Sequence, residues 1–124
     1  ETSKDETVEI FDLYKKCIAN LKKNNSIEKT LRNFELDILS VLGYEINFQS
    51  DYDNNERIIS GCNYKYSPQS GFMKSKNGYD GKMLNEINKR EFSKDSLRIC
   101  KEINRSTINY YFEELNIKSR IFFK

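Results

Sequence analysis

The chain has 124 residues, 32% of them charged, and a net charge of +2, which is long enough for one modest core and too short for two. It holds no apolar run of about eighteen residues, which excludes a membrane-spanning helix. The opening ETSKDETVEI is acidic where a secretory signal is basic and then apolar, and the absence of histidine removes every Ser-His and Cys-His nucleophile pair.

These bounds lead to the expectation of one soluble, cytoplasmic domain over 1–124, without a membrane partner. Its start without Met reads as a piece cut from a longer chain. Cys17, Cys62 and Cys100 are odd in number, far apart and without a C-x-x-C. They are expected to be inert buried hydrophobes, with no metal or cofactor bound. Ser-Lys and paired-carboxylate chemistry stay formally open, but Glu113 and Glu114 are neighbours on a helical pattern and diverge by about 100°.

Val8, Phe11, Tyr14, Cys17, Ile18 and Leu21 recur at helical spacing, which predicts an amphipathic helix from Asp5 to Lys23. KKNNS ends it. Asn25 is expected to cap a second helix over 26–42, with Glu28 completing a capping box and Gly43 supplying the left-handed stop. On this helix Ile27, Leu31, Phe34, Ile38, Val41 and Leu42 fill one arc of about 100°, expected to be the core face. Leu36 and Leu39 form a second apolar strip with Arg32 set between them in angle. The plain expectation is that another helix covers that strip while Arg32 pairs with Glu28 or Glu35.

From Tyr44 to Gly81 aromatic, β-branched and turn-forming residues concentrate. NYKYSPQSGFMKS reads as a strand, a turn over Ser67 to Gly71 and a returning strand. The segment 44–81 is therefore expected to be a small β flap packed on the helices. GKMLNEINKREF returns to helix, Ser93 is expected to cap a long helix from Lys94 to Leu115, and IKSRIFFK finishes as a short helical turn. The fold class is mainly α, with four to five helices and a β-hairpin flap inserted between them.

Charge is uneven: residues 1–62 carry 8 Lys/Arg against 12 Asp/Glu, and residues 63–124 carry 13 against 7. Within the basic half, Lys94, Arg98, Lys101 and Arg105 share about 60° of helix surface, an arrangement suited to phosphates, though also that of an ordinary solvated face. Lys118 and Arg120 are expected to extend the same basic surface, or alternatively to pair with Glu113 and Glu114.

LRNFELDILSVLGYEINF, YKYSPQSGF, LRICKEINRSTINYY and the closing IKSR, in that order over about residues 31–123, resemble the C-terminal part of the bacterial RecO family. The resemblance implies a non-enzymatic DNA-repair and recombination mediator whose relatives bind single- and double-stranded DNA, anneal strands, work with RecR and RecF, and engage the acidic C-terminal tail of single-stranded DNA-binding protein. It also implies a nucleoid-associated place in the cytoplasm. The family's N-terminal OB-fold barrel is not in this chain. Many relatives carry a four-cysteine zinc element after LGY, whereas this chain offers Cys62 alone, so the flap is expected to hold by Ile58, Ile59, Tyr64, Tyr66 and Phe72.

The resemblance gives Arg32 a ligand-binding meaning: it is expected to clamp the tail's terminal carboxylate beside an apolar pocket involving Leu36 and Leu39. The contrasting expectation is a purely structural or oligomerising helical domain without a direct ligand.

Overall fold

The computed structural model describes residues 4–23 and 26–122, with side chains described for 7–23 and 26–112. Four helices and three strands follow in the order α1 (Lys4–Lys22), α2 (Ile27–Val41), β1 (Asn63–Ser67), β2 (Gly71–Ser75), β3 (Tyr79–Asp80), α3 (Gly81–Lys89) and α4 (Lys94–Phe122). The mainly helical class with an inserted sheet is as the sequence predicts.

Local chemistry accounts for the boundaries. Ser26, not Asn25, caps α2, its hydroxyl accepting from the Lys29 amide at 3.3 Å; Asn25 lies outside the described residues. Gly43 has φ +90, and the Tyr44 amide reaches back to the Leu39 carbonyl at 2.8 Å, closing the helix as its glycine requires. Arg90 ends α3 in a left-handed conformation, φ 59. Ser93 and Ser96 cap α4 reciprocally, each backbone amide donating to the other's hydroxyl. The expected break near Leu115 is absent: α4 continues as one helix to Phe122, because no residue after Leu115 breaks helical propensity.

The hairpin turns over Ser67 to Gly71 as predicted, with Tyr66 opposite Phe72 and Asn63 opposite Ser75. A third strand, too short to read in the sequence, pairs Tyr64 with Tyr79, so that β1 is central in the order β2-β1-β3. Two glycines permit this closure. A Cβ on Gly78 would lie 2.2 Å from the Tyr64 carbonyl oxygen, and one on Gly81 would lie 1.9 Å from that of Ile59.

The 44–81 segment is more than a flap. It supplies Phe48, Ile58, Tyr64 and Phe72 to one core with Leu36 of α2, Leu84 and Ile87 of α3, and Ile99, Cys100 and Ile103 of α4. Ile59, expected to pack, is instead 47% exposed. Asp51 braces the loop before β1: its buried carboxylate accepts from the amides of Asn54 at 3.3 Å and Glu56 at 2.9 Å. The sheet hangs on α4 through Tyr66, whose hydroxyl lies 2.7 Å from that of Thr107, and through Tyr111, which donates to the Pro68 carbonyl at 3.0 Å. Cys17 and Cys100 are buried and Cys62 half-buried, all as free thiols.

Two helix faces are turned differently from the prediction. On α2 the buried residues are Thr30, Arg32, Leu36 and Leu39, while Ile27 on the expected core arc is 63% exposed. On α1, Val8, Phe11 and Tyr14 are each more than half exposed, and among the described residues only Cys17 is buried. The cause is position: α2 lies between α1 and α4, the large core is on the α4 side, and the strip containing Leu36 is the one that meets it.

Candidate functional site

Arg32 is 5% exposed and spends its guanidinium inside the domain. Its Nε and Nη2 donate to the two oxygens of Glu35 at 2.7 and 2.9 Å. Glu35 Oε1 also accepts from Asn104 Nδ2 of α4 at 3.0 Å. Arg32, Glu35 and Asn104 thus form a polar stitch between α2 and α4, set beside the core.

This geometry corrects the expected carboxylate clamp. Leu36 is 8% exposed and Leu39 is fully buried, so the second apolar strip is sealed and no open slot lies beside Arg32. The physical reason is the stitch: the carboxylate of Glu35 gives a buried guanidinium the bidentate partner that a ligand was expected to bring. The same surroundings act on Cys100. Burial foremost, then the nearby Glu35 carboxylate, pushes its thiol up to about 12 despite Arg32 and Arg90. It is therefore held as a neutral thiol.

An open groove of about 610 Å³ lies one layer further out, between α1 and α2 and beside the end of α3. Leu13, Cys17 and Phe34 give it apolar lining, and Lys16, Lys29 and Arg90 bring three cations around one carboxylate, Asp37. Arg90 is held in place by Asn33 Oδ1 at 2.8 Å and Asp37 Oδ1 at 2.9 Å, so one wall of the groove is fixed. Sequence reasoning missed this site, since its residues come from three elements and no spacing links Lys16 to Arg90.

The four cations Lys94, Arg98, Lys101 and Arg105 are all exposed, on the face of α4 turned away from Cys100, Asn104 and Thr107. Their only ion pair among the described residues is a loose one, Arg98 to Asp95 at 3.8 Å with both side chains largely in water. The side chains of Lys118, Arg120, Glu113 and Glu114 lie outside the described residues. The surface they were expected to complete is therefore drawn from the four alone.

No cluster of metal-ligating side chains occurs among the described residues, and no described helix is long and apolar enough to cross a membrane.

Comparison with known proteins adds the family context. A family model described as recombination protein O C terminal matches residues 2–121. Proteins named DNA repair protein RecO from Salmonella dublin and from Salmonella enteritidis PT4 (strain P125109) are each 34% identical over 122 residues, covering 94% of this chain and 50% of the relative. The chain spans about half the length of the curated relatives it matches.

Proposed function

The chain belongs to the recombination protein O C-terminal family, and we propose that it acts in DNA repair and recombination as a non-enzymatic docking and DNA-contact module. In this reading the α1–α2 groove receives the acidic C-terminal tail of single-stranded DNA-binding protein, and the outer face of α4 touches phosphates. Partnership with RecR, strand annealing and a place in the cytoplasm at the nucleoid belong to the reading as properties of the full-length protein.

The observation that carries it is the makeup of the groove. A tail of acidic residues ending in a hydrophobe with a free carboxylate needs an apolar floor and several cations within one small space. Leu13, Cys17 and Phe34 with Lys16, Lys29 and Arg90 supply both. Arg32 then serves by holding α2 against α4, one layer beneath the contact, and Leu36 and Leu39 serve as core. The α4 stripe suits a polyanion because phosphate contact asks for exposed cations at spacing, not for a shaped pocket.

Anisotropy titrations with a labelled acidic tail peptide and with labelled single-stranded DNA test both parts. Saturable binding of each is expected at moderate salt. Lys16→Ala with Lys29→Ala should weaken the peptide selectively, and Lys101→Ala with Arg105→Ala should weaken DNA selectively. Binding of neither ligand overturns the reading in favour of a purely structural or oligomerising domain.

A further inference from the structure

Asp37 is the one carboxylate among the described residues that line the α1–α2 groove, and it lies against Arg90, the cation held most firmly there. Arg90 is fixed at both ends. Its backbone, at φ 59 and ψ 27, closes α3 in the left-handed region and so sets where the side chain leaves the chain. Its guanidinium is divided between two acceptors one helical turn apart on α2, Nη1 donating to Asn33 Oδ1 at 2.8 Å and Nη2 to Asp37 Oδ1 at 2.9 Å. A neutral acceptor such as Asn33 is enough to orient a guanidinium. An acceptor that is itself an anion does something a brace does not require: it cancels charge where Lys16, Lys29 and Arg90 meet. The side chains of Arg90 and Asp37 are 39% and 40% exposed, so this pair stands in water and can exchange partners, unlike the enclosed pair of Arg32 and Glu35.

We propose that Asp37 is a built-in competitor for the ligand of this groove. Its carboxylate holds Nη2 of Arg90 until the terminal carboxylate of an acidic peptide takes that place, while Asn33 keeps Nη1 in position. The inference rests on the reading that the groove receives such a tail, and it names Arg90 as the receptor of the free carboxylate. In the exchange one charge-assisted hydrogen bond replaces another of the same kind, so the terminal carboxylate by itself gains little. Net affinity must then come from the apolar side chain seated on Leu13, Cys17 and Phe34. An anion that brings no apolar group gains only the exchange and meets the repulsion of Asp37 as well. The residue is therefore a specificity determinant, a repulsive element that only the doubly equipped ligand overcomes.

Anisotropy titrations of the full-length protein with two labelled peptides test this, one the acidic tail with its free terminal carboxylate and the other the same peptide as its terminal amide. Asp37→Asn keeps an acceptor for Arg90 and removes the charge. It should tighten the carboxylate peptide by about three- to tenfold at low salt and the amide by less than about twofold. Arg90→Gln should make the two peptides bind alike, and adding Asp37→Asn to it should favour neither. The unsubstituted protein gives a further readout: the nitrogen and proton resonances of the Arg90 guanidinium should move on adding the carboxylate peptide and stay in place with the amide. Equal tightening of both peptides by Asp37→Asn assigns the residue to the general field of the groove and overturns the proposal. Weaker binding of the carboxylate peptide makes Asp37 a brace and overturns it as well. A carboxylate peptide that binds the unsubstituted protein and ignores Asp37→Asn removes this proposal alone, whereas binding of neither peptide to either protein removes the groove reading and the proposal with it.

Discussion

Both carboxylate oxygens of Glu35 are taken by the guanidinium of Arg32, at 2.7 and 2.9 Å, and one of them also accepts from Asn104 at 3.0 Å. Since the Arg32 side chain is 6% exposed and that of Glu35 26%, the pair sits at the edge of the core, where neither charge keeps a full water shell.

Removing the acid should therefore hurt more than a surface pair would. Glu35→Ala leaves Arg32 buried without its counterion and Asn104 without its acceptor, and is expected to cost about 2–3 kcal/mol in urea denaturation. Arg32→Ala should also destabilise the domain, by weakening the link to α4. An unchanged midpoint in both variants would show that the stitch contributes nothing.

The glycines separate two kinds of constraint. Gly81→Ala places a methyl 1.9 Å from a backbone oxygen that has little room to move, and should lower stability by about 3 kcal/mol or more. Gly43→Ala meets no atom within 4 Å and is strained only by its φ of +90, so a cost of about 1–2 kcal/mol is expected. Thermal unfolding of the two variants side by side checks the order.

Cys100 gives a pH dependence of defined sign. Its folded value near 12 stands above the ordinary thiol value of 9.0, so the native state keeps a proton that the unfolded chain releases between those limits. Its contribution is fully present below pH 9 and is lost as pH rises towards 12, at up to about 1.4 kcal/mol per pH unit. Subtracting the profile of Cys100→Ala removes the other groups that titrate there. A difference that stays flat above pH 9 contradicts the shift. Native-state alkylation at pH 8 should be correspondingly slow at this residue.

If the α4 stripe contacts phosphates, affinity for DNA should fall steeply with salt. Removing Lys101 and Arg105 together should flatten the logarithmic slope by about two units. Removing Lys65, an exposed cation on β1, serves as the control and should leave the slope nearly unchanged if that strand makes no contact.

What could be read ahead of the structure was what local chemistry decides. Helical spacing, Gly43, Ser93 and the turn around Pro68 each act within a few residues, and the elements they define are found. The orientation of α2 is set from a distance. Its two apolar strips are similar in the sequence, and the choice between them lies with α4, whose Asn104 is 69 positions from Glu35. Arg32 takes its ligand-binding meaning from the family resemblance alone, whereas the plain expectation, pairing with Glu28 or Glu35 while the strip of Leu36 and Leu39 is covered, matches the observed pair with Glu35 and the burial of both leucines. The α1–α2 groove was illegible because Arg90 reaches it only through the fold.

The single core, running from Leu36 to Ile103, has a consequence for how the domain is made. Synthesis delivers α1 and α2 first, yet the surface that buries Leu36 and the partner that completes the Arg32–Glu35 stitch come with α4. At about 5–20 residues per second, the 67 positions between Leu36 and Ile103 correspond to roughly 3–13 s on the ribosome. During that interval the strip on α2 is open to water and to chaperones. The domain is thus expected to acquire its core in one late event once α4 has emerged, and a nascent chain stalled before Ile103 should remain as protease-sensitive as the unfolded protein.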